Sequence, residues 1–199
     1  TLKGNINWMK VHEQEMFSPF FEDMQNLKPV IPEGNSDSAA LDNVFELLNI
    51  SGHSAPLAKL MLIPDAWSKK SETLPKEHMQ LFNFLNSTME PWDGPAAIAG
   101  TDNEWVIAAT DRNGLRPLRY TITEDNLLFA GSETGMVDID EKKILSKGRL
   151  GPGEVIGLRI EKGKVFSNSE IKNYLAKEYK NFNNQIIDLD KKFIIQKEK

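Results

Sequence analysis

The feature that most limits the folds open to this chain is a change of hydrophobic period near residue 90. Between residues 38 and 89, apolar residues recur every three to four positions, as on a helix with one buried face. From residue 96 onward, short apolar runs alternate with turn residues, which is typical of strands. Helices followed by closely spaced strands predict an α+β fold, with helices packed on an antiparallel sheet.

Four helices are predicted, over residues 38–50, 54–63, 75–89 and 169–180. The first has the strongest pattern, because Ser36 and Asp37 stand where capping side chains and negative charge are favoured, and Gly52 follows its end. Prolines set boundaries of the next two: Pro64 ends the second helix, and Pro75 opens the third.

Two hairpins are predicted among the strands. Asn113-Gly114 is a common two-residue turn because both residues tolerate positive φ, so residues near 104–112 are expected to pair with residues near 115–122. A second hairpin is predicted over residues 148–166. The first turn lies in the stretch TDRNGLRPLRY, whose crowded charges the turn itself does not explain.

Composition excludes several classes of function. The 199 residues carry a net charge of −5 with a pI of about 5.3 and contain no Lys/Arg block, which argues against a nucleic-acid surface. No apolar run approaches the ~18 residues of a membrane span, and no secretory signal pattern is present, so a cytoplasmic protein is expected. The three histidines lie far apart in sequence, and no metal site is predicted.

Cysteine is absent, which removes disulfides, cysteine-bound metals and any cysteine nucleophile from these residues. The chain begins without methionine and inside patterned sequence. It is therefore expected to be a piece of a longer polypeptide.

The stretch EGNSDSAALDN at 33–43 supports two interpretations of equal weight. In the first, Ser36 and Asp37 only cap the helix that follows. In the second, the Asp37 carboxylate, whose negative charge the helix N-terminus stabilises, also binds an ammonium group such as the α-amino group of an amino acid.

Seven separated motifs, in this order, resemble the class-II glutamine amidotransferases. They are TLKGNINWM, NSDSAALDN, KLMLIPDAW, MEPWDGPAAI, TDRNGLRPLRY, GSETGMVDI and KGRLGPGEVIGL. The pattern D-R-x-G-x-R-P-L is similar to one shared across that family. The surrounding motifs resemble the later part of the N-terminal amidotransferase domain of glutamate synthase large subunits.

The resemblance implies an αββα sandwich of the N-terminal-nucleophile hydrolase type, incomplete because its N-terminal portion is missing. Residues 1–174 would form the C-terminal portion of the domain, and residues 175–199 a linker or the start of the next segment. In this family an N-terminal cysteine attacks the side-chain amide of glutamine, with its own α-amino group as base. Ammonia leaves, and water then releases glutamate from the thioester.

The resemblance also implies roles for individual residues. No catalytic residue is expected in this chain, because it has no cysteine and the family's Asn-Gly oxyanion pair would lie upstream of Thr1. Asp37 would bind the α-amino group of glutamine, and Ser36 is a weaker candidate for the same site.

The TDRNGLRPLRY stretch is expected to form a hairpin of the central sheet near the cleft. Within it Asp111, Arg112, Gly114 and Arg116 are expected to have structural roles. The charged members would pair with one another or with Glu133, because a buried charge needs a partner.

For the full-length enzyme, the resemblance implies FMN and an iron–sulfur cluster, neither of them in this segment, and transfer of ammonia to 2-oxoglutarate. The implied partners are glutamine, the remaining domains of the same polypeptide and a small reductase subunit. Two alternatives stay open: another class-II amidotransferase, forming asparagine or phosphoribosylamine, and a non-catalytic module that binds an amino acid.

Overall fold

The computed structural model describes residues 10, 13, 19–65, 74–89 and 91–179. Its α-helices and strands, in chain order, are α1 (Asp37–Ile50), α2 (Ala55–Leu62), α3 (Lys76–Thr88), β1 (Ala97–Thr101), β2 (Trp105–Thr110), β3 (Arg119–Thr123), β4 (Leu128–Gly131), β5 (Ile144–Arg149), β6 (Val155–Arg159), β7 (Lys164–Phe166) and α4 (Asn168–Glu178). Short 3-10 turns cover Met24–Leu27 and Glu141–Lys143. The α+β class is confirmed, and each predicted helix begins and ends within two residues of its expected bounds.

Helices α1 and α4 start at a local side chain that accepts one of their first N–H groups. Ser36 caps α1 by accepting the Ala39 N–H at 3.2 Å. The start of α4 has a capping box, in which Ser167 accepts the Glu170 N–H and the Glu170 carboxylate accepts the Ser167 N–H.

Helix α2 takes its cap from a distant residue. Ser54 precedes the helix but makes no side-chain capping bond. Instead the carboxylate of Asp102, in the turn between β1 and β2, accepts the N–H of Ala55. The same carboxylate accepts the N–H groups of Glu104 at 2.9 Å and Trp105 at 2.6 Å, so it joins this turn to the helix.

The strands form two antiparallel sheets, ordered β1-β2-β6-β7 and β4-β3-β5. Alternation along β2 divides the two faces of the first sheet. Trp105, Ile107 and Ala109 are buried against the core that includes the helices, whereas Ala108 belongs to a second core cluster.

The second cluster holds the two sheets together. It joins Ala108 and Ile156 of the first sheet to Leu118 and Leu150, which flank strands of the second sheet, and Tyr120 packs against it. The described residues therefore form three layers, with helices, first sheet and second sheet in that order.

Trp105 connects the first sheet to α4. Its side chain is 1% exposed, and its ring lies 5.0 Å from that of Phe166 in an edge-to-face arrangement. The ring of Tyr174 in α4 lies 5.6 Å away. Such aromatic contacts add specific geometry to the burial of apolar surface.

The hairpin predicted at Asn113-Gly114 is wrong. Strand β2 pairs with β1 and β6, whereas β3 pairs with β4 and β5, so the segment between them crosses from one sheet to the other. Gly114 has the expected positive φ of 64°, but Asn113 does not. The Gly114 N–H closes a turn on the carbonyl of Asp111 at 3.0 Å, and no ladder follows it.

The second predicted hairpin is confirmed. Strands β6 and β7 pair from Gly157 with Phe166 to Arg159 with Lys164, and the turn contains Gly163 at φ 55°. Residues 148–149, which the prediction included, belong instead to β5.

We predict that Gly148→Ala destabilises the protein by about 1–3 kcal/mol, because overpacking forces its neighbours to move. A Cβ at Gly148 would lie 2.3 Å from the ring of Tyr120, which packs between the sheets. Chemical denaturation would measure the loss. In a Tyr120→Ala background the same change should cost clearly less, and an equal cost would exclude the ring contact as the cause.

Candidate functional site

A cleft of about 320 Å³ lies between the N-terminus of α1 and strand β1. It is lined by Ser36, Asp37, Ser38, Leu41, Asp42, Pro95, Ala96, Ala97, Ile98 and Ala99. Asp37, which lines the cleft, is half-buried and is the first residue of α1, so it stands at the positive end of the helix.

Strand β1 forms the opposite wall and is an edge strand. The N–H of Asp111 donates to the carbonyl of Ala96 at 3.0 Å, which fixes the alternation of bonds between β1 and β2. By that alternation the backbone groups of Ala97 and Ala99 point away from β2, on the side of the cleft. The lining of the cleft thus combines two acidic residues, Asp37 and Asp42, with backbone donors and acceptors, a set suited to a ligand that carries an ammonium group.

Asp111 organises the segment behind this wall. Its side chain is buried, and its carboxylate accepts four backbone N–H groups, from Ala96 at 3.1 Å and from Asn113, Leu115 and Arg116 at 3.0 Å each. Burial alone would raise the pKa of Asp111, but these four donors outweigh it and lower the pKa below its usual value.

The ion pairs expected around Asp111 are not formed. Within the part of the chain that the structure describes, Arg112 and Arg116 have no salt bridge to Asp111 or Glu133. Arg112 is half-buried and Arg116 is exposed. The buried charge is balanced by backbone donors, which no pattern of charged residues in the sequence reveals.

Gly114 lies where two loops interlock. A Cβ at this position would be 3.0 Å from the backbone of Pro152, closer than most Cβ contacts in proteins, so the loop would have to shift. The N–H of Gly153 donates to the carbonyl of Asp111 at 2.8 Å, and the Thr110 hydroxyl donates to the carbonyl of Gly151 at 2.6 Å. The turn at residues 151–154 is therefore joined to the Asp111 loop by these two hydrogen bonds.

Two buried lysines, which the sequence analysis missed, lie beneath these loops. Lys59 of α2 is 2% exposed and donates to the carbonyl of Gly153, while Lys172 of α4 pairs with Asp65. Burial lowers the pKa of Lys59 to about 8, although Asp65 opposes that shift. The only signal in the sequence was a lysine inside the apolar run LAKLMLI.

Among the described residues, no cluster of three or more His, Cys, Asp or Glu side chains could hold a metal ion. In the same part of the chain, no helix has the length and apolar character needed to cross a membrane.

Comparison with known proteins assigns the class. The family model for class-II glutamine amidotransferases matches residues 1–184, and the chain belongs to that family. Its relatives include the glutamate synthase [NADPH] large chain of Azospirillum brasilense, which is 55% identical over 88% of this chain. The large chain of Bacillus subtilis is 40% identical over 90%, and the glutamate synthase [NADH] of Saccharomyces cerevisiae is 40% identical over 96%.

The chain spans only a small part of these relatives. The matched segment covers 12% of each of the two bacterial large chains and 9% of the yeast protein. The chain is thus similar to one segment of glutamate synthases, within their class-II amidotransferase region.

We predict that Asp111→Asn destabilises the protein by about 2–4 kcal/mol. The amide keeps one oxygen but turns its NH₂ group toward two of the backbone donors, so two part-buried N–H groups lose their acceptor. Asp93→Asn is the control, because among the described residues this exposed carboxylate accepts only the Gly94 N–H and the Asn113 amide, and the change should cost below about 1 kcal/mol. Equal losses of unfolding free energy in the two variants would show that the four hydrogen bonds to Asp111 do not stabilise the protein more than an exposed carboxylate does.

The same pair of variants has a predicted pH dependence. Because the folded-state pKa of Asp111 is lowered, the unfolded chain takes up its proton at higher pH than the folded protein does. The stabilisation from Asp111 is therefore complete above the unfolded pKa of about 3.9 and is lost as the pH falls through the folded value. Chemical denaturation would give the free energy of unfolding at several pH values between about pH 6 and pH 3. This free energy should fall less steeply with pH for Asp111→Asn than for Asp93→Asn.

Proposed function

We propose that this chain is the later part of a glutaminase domain in a glutamate synthase, and that its cleft holds the amino-acid end of glutamine. One observation supports the proposal: Asp37 is the first residue of α1 and belongs to the lining of a cleft. Membership of the class-II amidotransferase family supplies glutamine as the substrate class.

The recognition chemistry follows from charge and geometry. The α-amino group of glutamine is a cation with three donors, and a carboxylate accepts such donors in charge-assisted hydrogen bonds. Ser36 adds a hydroxyl beside Asp37, although it already accepts the Ala39 N–H. The outward backbone groups of Ala97 and Ala99 offer further partners for the bound amino acid.

The chemical step would come from outside these residues. Their lack of cysteine means that the thiol nucleophile and its α-amino base belong to other parts of the polypeptide, and the family resemblance implies the same of the oxyanion donors. Asp111, Arg112, Gly114 and Arg116 then act as structural residues near the site, and no catalytic residue lies in this chain.

The same proposal covers the architecture. Residues 1–174 form the C-terminal portion of the domain, residues 175–199 lead toward the next segment, and the complete domain is an αββα sandwich. The three layers described above supply one helical layer and both sheets.

In the complete enzyme, ammonia from glutamine passes to 2-oxoglutarate in domains that carry FMN and an iron–sulfur cluster. A small reductase subunit completes the set of partners, and the enzyme works in the cytoplasm. The relatives reported above are glutamate synthases, which favours this function over an amidotransferase that forms asparagine or phosphoribosylamine.

We predict that the 199 residues, produced as a separate polypeptide, do not hydrolyse glutamine. They contain no thiol, and the loss of even one oxyanion donor typically costs roughly 10²–10³ in rate. Glutamate release would be measured with and without a thiol-alkylating reagent. Because the chain has no cysteine, activity that the reagent abolishes comes from a contaminant. Activity that survives the reagent and stays with the chain through further purification contradicts the prediction.

We further predict that Asp37→Asn, in the polypeptide that carries the nucleophile, lowers kcat/KM for glutamine about ten- to a hundred-fold. A hydrogen bond to a charged group contributes roughly 1.5–3 kcal/mol, and ~1.4 kcal/mol corresponds to a factor of ten. Glutamate synthesis from free ammonia should be unchanged, because ammonia bypasses the cleft.

Glu46→Gln is the matched control, since it removes a carboxylate from a position on the same helix that does not line the cleft. It should leave both reactions unchanged. If Asp37→Asn behaves like this control, Asp37 is a residue of the helix start without a role in binding substrate.

A further inference from the structure

Lys59 is the one charged residue in a helix that is otherwise apolar and buried along its whole length. All eight residues of α2 are buried, and Lys59 is 2% exposed. Its ammonium group donates to the carbonyl of Gly153. Burying an ammonium group lowers stability more than burying an apolar side chain of the same length does, so packing alone does not account for a lysine at this position.

The bond from Lys59 begins a series of hydrogen bonds that ends in the cleft wall. Gly153 is buried, and among the described residues Lys59 is the only donor to its carbonyl. The Gly153 N–H donates to the carbonyl of Asp111 at 2.8 Å, and the Asp111 N–H donates to the carbonyl of Ala96 at 3.0 Å. Ala96 lines the cleft, and its own N–H donates to the Asp111 carboxylate at 3.1 Å. The position of this wall therefore depends on where Gly153 is held.

Lys59 also lies directly behind the cleft. It lines a second cavity, of about 30 Å³, which shares four lining residues with the cleft: Leu41, Asp42, Ile98 and Ala99. The first two belong to α1, and the last two belong to β1. Lys59 is thus next to residues that form both walls of the cleft, and the acidic residue among them is Asp42.

Burial and four charged side chains in the described part of the chain determine the protonation of Lys59. Burial lowers the pKa of Lys59 to about 8, and the positive charge of Lys172 also lowers it. Asp65, Asp111 and Glu154 act in the opposite direction, because their negative charges favour the protonated amine. With a pKa of about 8, Lys59 is mostly an ammonium group at about pH 7 and mostly a neutral amine above about pH 9.

We propose that Lys59 is a positioning residue of the glutamine cleft: its ammonium group holds the turn at residues 151–154, and the Asp111 loop in turn keeps the wall at residues 96–99 in the position that binds substrate. The inference rests on the proposed function, because it concerns the same cleft. Lys59 does not line the cleft itself, so it acts on the substrate through Gly153 and Asp111. Because a charge-assisted hydrogen bond is stronger than a neutral one, the wall is held most firmly while Lys59 is protonated.

The decisive variant is Lys59→Met in the complete polypeptide. Methionine keeps an unbranched, flexible stem that fills the core, but it offers no N–H to Gly153. The KM for glutamine should rise about three- to thirty-fold with kcat unchanged, which is the signature of lost substrate binding. Glutamate synthesis from free ammonia should be unchanged. An unchanged KM, or a fall in kcat at constant KM, would overturn the proposal.

Lys172→Met is the matched control. Lys172 is also buried, but within the described ranges its ammonium group bonds Asp65 and takes no part in the series that reaches Ala96. The change should lower the melting temperature and leave the KM for glutamine unchanged. An equal rise of KM in both variants would mean that any loss of stability disturbs the cleft, and the proposal would be wrong.

The pH profile separates positioning by the charged amine from a purely structural role. The ratio of kcat/KM for glutamine between the unmutated enzyme and Lys59→Met cancels the titrations that the two proteins share. This ratio should be largest below about pH 7 and shrink as the pH rises through about 8, because the unmutated enzyme then loses its charged donor. A ratio that does not change with pH would contradict the proposal. If Lys59→Met does not fold, Lys59→Gln, which keeps an N–H donor without a titrating group, should give the same trend.

Failure of the proposed function would give a different result. A complete polypeptide that does not use glutamine would overturn both proposals. An enzyme whose glutamine kinetics depend on Asp37 but not on Lys59 would overturn this one alone.

Discussion

The buried carboxylate of Asp111 is the interaction on which the rest of this arrangement depends. Its four acceptor bonds join the start of β1 to the segment that leaves β2, and its own backbone groups bond Ala96 and Gly153. The chain can therefore leave the first sheet, turn and enter the second sheet while each of these N–H groups keeps an acceptor. Because the partners are backbone groups, the arginines of this segment are not needed to neutralise the charge.

The bounds of the helices could be predicted from the sequence, whereas the path of the chain around Asp111 could not. The helix bounds were predictable because caps and prolines act within a few residues of the helix that they limit. The Asn113-Gly114 hairpin was not, because the competing acceptor is a side chain whose four donors include Ala96, fifteen residues earlier in the chain. The turn preference of Asn-Gly favoured a hairpin between β2 and β3. The hydrogen bonds to Asp111 instead direct the chain from the first sheet to the second.

The sequence predicted one wall of the candidate site and not the other. The position of Asp37 at a helix start followed from its neighbours, and the structure puts it there. The facing wall at Ala96–Ala99 is apolar and contributes through its backbone, so no residue type marks it. Lys59 was missed because its residue type suggests a different environment. A lysine in an apolar helix predicts a stem packed on the core and an ammonium group that reaches water. Here the head reaches the carbonyl of Gly153.

The long-range cap on α2 has a consequence for the order of folding. The helix is eight residues long, too short to persist in isolation, and its first N–H finds its acceptor 47 residues later, at Asp102. That acceptor is in position only once the turn between β1 and β2 has closed. The start of α2 and the turn between β1 and β2 thus stabilise each other, and a nascent chain that ends before residue 102 lacks the acceptor for the start of this helix.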